Sequence, residues 1–103
     1  MTDNVVPFRG GLSRAAAERR IRESAADTAS LIFPWAVATQ MAAAGISIRQ
    51  VIAALRLGAV VDNPTRNEIG DWICTMRHKS GGRQIHVVVA VGEGRPLALV
   101  AVR

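Results

Sequence analysis

The segment Asp71 to Val91, DWICTMRHKSGGRQIHVVVAV, constrains the fold more than any other stretch. Two runs of alternating character flank Gly81-Gly82. A two-residue primed turn needs positive φ at both central positions, which glycine supplies without a steric penalty. A turn centred there sets Trp72, Cys74 and Met76 opposite Val91, Val89 and Val87 on one face. The other face receives Thr75, Arg77 and Lys79 opposite Val88, His86 and Gln84. A slip of one residue would mix the two sets, so the apolar pattern selects the register. The predicted hairpin has one face for a core and one cationic face, with an imidazole across from a guanidinium. Such a face suits a phosphodiester, and it also describes an ordinary solvated sheet face.

A chain of 103 residues accommodates one domain with a single modest core. Half of the residues are hydrophobic and a fifth charged, a balance that excludes a disordered segment. Thirteen basic residues against eight acidic ones give a net charge of +5, which favours polyanionic partners. Twelve of the thirteen are arginine, with Lys79 the single lysine. Arginine offers a planar fork for phosphate, although GC-rich coding produces the same bias. The lone Cys74 excludes an internal disulfide and a cysteine-cluster metal site; between Trp72 and Met76 it reads as a buried structural thiol. No basic start followed by an apolar run marks a signal peptide, and no apolar stretch reaches the length of a membrane span. The expectation is a cytoplasmic location with no membrane partner.

Residues 1–12, with Pro7, Gly10 and Gly11, are expected to form a flexible arm, and residues 13–103 a single domain. Ser13 is placed to cap a helix running to about Ser30, with Ile21, Ala25, Thr28, Ala29 and Ile32 along one face. Pro34 opens a second helix that Gly45 ends. The third helix has the clearest punctuation. Ser47 and Gln50 form a capping box, Ile46 staples onto Val51, Ile48, Val51, Ile52 and Leu55 make the buried stripe, and Gly58 closes it. A turn at Asp62-Asn63-Pro64 leads to the hairpin, Gly92 to Pro96 form a second turn, and Leu97 to Val102 a last strand. The predicted fold is α+β, N-terminal helices packed on a C-terminal antiparallel sheet of at least three strands.

No phosphate-binding glycine loop, HExxH pair or other close ligand set is present, so neither a metal nor a cofactor is expected. What remains is the cationic set Arg77, Lys79 and Arg83 with His78 and His86. RNA cleavage without a metal needs a base for the 2′-hydroxyl, cations for the pentacovalent phosphate and an acid for the leaving oxygen. His86 is the candidate acid or base because parity puts it on the cationic face, with Arg77 and Arg83 as clamps. Lys79, Gln84, Arg49 and Arg56 extend the expected RNA-binding surface. A strand histidine that is structural or merely exposed fits the same pattern.

These elements resemble the RelE/ParE superfamily of bacterial toxins. More closely, residues from about Arg19 to Val102 resemble small bacterial proteins of unassigned function related to MqsR- and BrnT-type toxins. The matching pieces are Ile21-Arg22-Glu23, Asp27-Thr28, Met41, Gly45-Ile46-Ser47, Val51, Leu55-Arg56, Gly58, Glu68, Gly70-Asp71-Trp72 and Val87 to Val91. The resemblance implies a compact α+β fold, endoribonuclease activity and an antitoxin-like protein partner. It departs at the family's HAxxRM motif. Aligned on Met41, Ala36 stands for the histidine and Gln40 for the arginine, and Ala44 replaces a further arginine.

Helix 34–44 therefore carries no charge and only Thr39 and Gln40 as polar positions. Such a helix must be buried on most sides or must expose an apolar patch. Trp35 and Met41 are the expected interface residues, for a homodimer or an antitoxin-like partner. The alternative to an RNA-acting toxin is thus a catalytically inactive interaction module of the same fold.

Overall fold

The computed structural model describes residues 11–103. The expected arm 1–12 falls almost wholly outside the described residues, and Leu12 is buried in the core. The chain forms helix α1 (Arg14–Ala25), strand β1 (Leu31–Ile32), helices α2 (Trp35–Ala44) and α3 (Ile48–Leu57), then strands β2 (Ala59–Val60), β3 (Thr65–Arg66), β4 (Trp72–Ser80), β5 (Arg83–Val91) and β6 (Leu97–Val102). The architecture is α+β, with a six-stranded sheet in the order β1-β6-β5-β4-β2 and β3 also paired with β4. All pairings are antiparallel except β1 with β6.

The hairpin has the expected register, Trp72 to Val91 through Ser80 to Arg83, turning on Gly81 and Gly82 at φ 60 and 83. Trp72, Cys74, Met76, Val87, Val89 and Val91 are buried. α1 and α3 cover this face, Ala17, Ile21 and Ala25 from one and Val51, Ala54 and Leu55 from the other. Each buried aliphatic side chain contributes on the order of 1.5–3 kcal/mol. Gly58 lets α3 approach the sheet: a Cβ there would lie 2.5 Å from the Ala54 carbonyl oxygen and 2.7 Å from that of Arg77.

Both serine caps form as expected. Ser13 Oγ accepts from the Ala16 N–H, and Ser47 and Gln50 make the reciprocal capping box. Three expectations are corrected. α1 ends at Ala25 rather than Ser30, because the Asp27 carboxylate accepts the Ala29 N–H and turns the chain into a 3₁₀ turn, Thr28–Ser30. Thr28, Ala29 and Ile32 are therefore exposed. Ile48 lies outside the buried stripe, 56% exposed, because α3's first turn has no element over that side, and Ala54 takes the core position.

The third correction concerns α2. Val37 and Met41 are its buried residues, so Met41 packs in this chain's own core, 6% exposed, and is no interface residue. The opposite side, with Ala36, Ala38, Ala42 and Ala43, is exposed, and Trp35 is 83% exposed. α2 packs beside β6, where the Gln40 side-chain oxygen accepts the Val102 N–H at 2.9 Å and occupies the strand's open edge. No helix among the described residues is long and apolar enough to cross a membrane.

Candidate nucleic-acid interface

The face of β4 and β5 turned away from α1 and α3 carries the expected cations. Arg77, Lys79 and Gln84 are exposed and His86 is half-buried. Arg77 pairs with His86 across the hairpin, and His86 exchanges both backbone hydrogen bonds with Arg103, at 2.7 and 2.9 Å. A strand residue directs its N–H and C=O to the same side. The Arg77–His86 pair is therefore the non-hydrogen-bonded kind, in which opposing side chains stand closest, about 4.5 Å between Cα atoms. The result is one transverse row, Arg77, His86, Arg103, over three strands, with Lys79 and Gln84 forming the next pair toward the hairpin tip.

Arg103 escapes sequence reasoning for a definite reason. Strict alternation from Leu97 and Leu99 would send residue 103 to the helix side. A β-bulge intervenes: Val88 pairs with Ala101 but Val89 with Leu99, so Val100 is the extra residue. The bulge reverses parity and delivers Arg103 to the open face beside His86.

The strands that carry the row supply no acidic side chain to it. β4, β5 and β6 contain no aspartate or glutamate. The ion pairs of the described residues, Arg22 with Glu18 and Arg95 with Asp71, lie elsewhere. No group of three or more metal-ligating side chains occurs among the described residues. Cys74 lies on the covered face, where burial pushes its thiol up to about 11 and keeps it protonated.

Other expected site residues lie apart from the row. Arg83 has the parity of Ile85, not of His86, and its Nη2 donates to the Ala44 carbonyl at the end of α2 (2.9 Å). It is a helix cap and not a clamp for the row. His78 pairs with the buried Ile85 on that same side. Arg49 and Arg56 stand on α3, across the helical layer, and Arg56 Nε donates to the Ala25 carbonyl. The Gly70-Asp71-Trp72 element also has a structural part. Asn67 Oδ1 accepts the N–H groups of Ile69 and Asp71, Asp71 pairs with Arg95 from the β5–β6 turn, and Arg66 lies over the Trp72 ring at 5.1 Å.

The stripe Ala36, Gln40, Ala44 on α2, where the resemblance calls for histidine and arginines, runs beside the row. Gln40, Ala43 and Ala44 line a groove with Ala101, Val102 and Arg103. The α2 stripe and the sheet row thus border one surface, and in this chain only the sheet contributes charge to it.

No curated protein matches the chain, and no solved structure does. Residues 37–102, from α2 to the end of β6, match the model of a family described as a domain of unknown function, DUF4258. Because that match spans well over half of the sequence, the chain belongs to the DUF4258 family.

Proposed function

We propose that this chain is a toxin-type domain of the RelE-like class that acts on RNA at the open face of its sheet. The observation that carries this reading is the row Arg77–His86–Arg103, fixed by backbone pairing on strands without an acidic side chain. Two guanidinium groups flanking an imidazole provide bidentate donors for phosphate oxygens and a ring nitrogen able to take up or give a proton. Lys79 adds a further cation toward the hairpin tip, and the net charge of +5 steers a polyanion to the molecule.

In cleavage, His86 takes the proton of the 2′-hydroxyl as its oxygen attacks phosphorus. The bond from phosphorus to the 5′-oxygen breaks, and that oxygen takes up a proton from water. The products are a 2′,3′-cyclic phosphate and a free 5′-hydroxyl. Arg77 and Arg103 hold the charge that grows on the phosphoryl oxygens. Without cations at Ala36, Gln40 and Ala44, the whole reaction rests on the sheet.

A second reading is favoured by α2, which exposes Trp35 and four alanines and matches a non-enzymatic module that binds an antitoxin-like protein or a second copy of itself. Induced expression in a bacterium, with labelled single-stranded RNA tested against the purified chain, separates the two. The RNA reading expects growth arrest and RNA retention, both relieved by combined Arg77→Ala and His86→Ala. Arrest indifferent to both substitutions removes this site. A chain that neither arrests growth nor retains RNA supports the interaction module.

A further inference from the structure

On the side of α3 turned away from the sheet, Ile48, Ile52 and Leu57 line an open groove of about 1010 Å³ that Thr28 borders from the 3₁₀ turn. Ile48 is 56% and Leu57 69% exposed, large apolar side chains placed in water on a helix whose opposite stripe is already buried. Arg49 and Arg56 stand in the same groove, and its lining includes no carboxylate. They are seven residues apart, two helical turns, which places them about 10.5 Å from one another on one face. Arg56 is held in position because its Nε donates to the Ala25 carbonyl at 3.0 Å. Its Nη groups are left for a ligand, with little rotamer freedom to lose on binding.

We infer that this groove docks an amphipathic acidic helix of a partner protein. The helix would set two carboxylates, seven residues apart, against Arg49 and Arg56, and aliphatic side chains between Ile48, Ile52 and Leu57. Charge selects this occupant. A second copy meeting the groove about a two-fold axis would bring the same arginines against each other, a like-charge contact without a counter-ion. The volume exceeds most small-molecule pockets, and a lining that runs from Ser47 to Leu57 along α3 matches a helix laid in a groove. The surface lies across the helical layer from the Arg77–His86–Arg103 row, so the inference is independent of the RNA reading.

The probe is a synthetic two-heptad helical peptide with glutamates seven residues apart and leucines between them, labelled for fluorescence anisotropy. Its footprint is mapped by amide chemical shifts on the full chain. The expected result is binding that shifts the amides of α3 and of Thr28, weakened by about tenfold or more in Arg49→Glu. A peptide with lysine in place of only the glutamate that faces Arg49 recovers affinity for Arg49→Glu and not for the unaltered chain. Arg49 is exposed, and an unchanged melting temperature keeps the comparison valid. If Arg49→Glu does fail to fold, Leu57→Asp, expected to weaken the same peptide, replaces it. Absence of binding, a footprint on β4 to β6, or indifference to Arg49→Glu overturns the inference. So does a concentration-dependent dimer abolished by Leu57→Asp, which would make a second copy the occupant.

Discussion

The arginines of the helical layer and those of the open sheet face are the same residue type in two different states. On the helix-covered side of the sheet, three of them each reach a carbonyl at or just past a helix end. Arg56 donates to Ala25 at the end of α1, Arg83 to Ala44 at the end of α2, and Arg22 to the Gly58 carbonyl just past α3 (3.1 Å). The Ala25 and Ala44 carbonyls end their helices, where C=O groups have no intrahelical partner and carry the negative end of the helix dipole, so a guanidinium stabilises them twice over. On the open face, Arg77 and Arg103 flank His86 on strands with no aspartate or glutamate. An arginine-rich composition thus divides into cations that stabilise the fold and cations left over. Coding bias does not account for three caps at three helix ends.

The comparison breaks most easily at its covered side. Cys74 is the largest case. Its thiol is raised from 9.0 to about 11, so the folded state holds the proton more tightly than the unfolded chain does. That stability is fully present below pH 9 and is lost as pH rises toward 11, about 3 kcal/mol in all. With no tyrosine and one lysine, little else titrates in that window. Denaturant unfolding of the wild type against Cys74→Ala should show the loss in the wild type alone. A parallel decline in both would place the thiol in water.

Gly58→Ala comes next. The new methyl meets two backbone carbonyl oxygens, so α3 must lift from β4, with an expected loss of about 1–3 kcal/mol. A melting temperature unchanged by this substitution would mean that α3 has room to move. Arg56→Ala and Arg83→Ala each remove a charged hydrogen bond to a helix end, and each should lower stability by about 1–2 kcal/mol, Arg56 more because its contact is better shielded. Equal effects from Arg77→Ala would erase the distinction drawn here.

The smallest effect on stability is expected at the open face. Arg77→Ala and Arg103→Ala should change unfolding by less than about 0.5 kcal/mol, as exposed residues away from structural features do. If the row binds single-stranded RNA, each should lower the dependence of log affinity on log salt by about 0.7. Anisotropy titrations at several salt concentrations read this directly, and an unaltered slope in both variants would detach the row from phosphate.

The hairpin register, both serine caps, the capping box and the α+β order are legible in the sequence because each follows from local rules that nothing distant overrides. Strict alternation puts Cys74 inside and Arg77 outside without reference to any other element. Alternation also excludes Arg83 from the cationic face, since it shares the parity of Ile85, whereas charge alone groups it with Arg77. Arg103 is hidden because one bulge residue, Val100, reverses the count. β1, β2 and β3, two residues each, carry no periodicity to detect and exist only because β6 and β4 offer free edges. Met41 and Ile48 exchange their expected environments because which side of a short helix meets the sheet is settled by tertiary packing.

Gln40 has a consequence for how this molecule behaves in a crowd of its own copies. The run Val87–Val91 is a strongly β-prone, uncharged segment of the kind that recruits strands into fibrils. It sits in the middle of the sheet, so recruitment would have to begin at the β6 border. There the Gln40 amide oxygen already takes the Val102 N–H, α2 stands alongside, and β1 occupies the start of the strand. The far border is broken up by β2 and β3, each too short to template an incoming chain. Strand-by-strand polymerisation therefore meets an obstacle at each border of the sheet. The side chain standing where the resemblance calls for an arginine serves here as a stopper against aggregation.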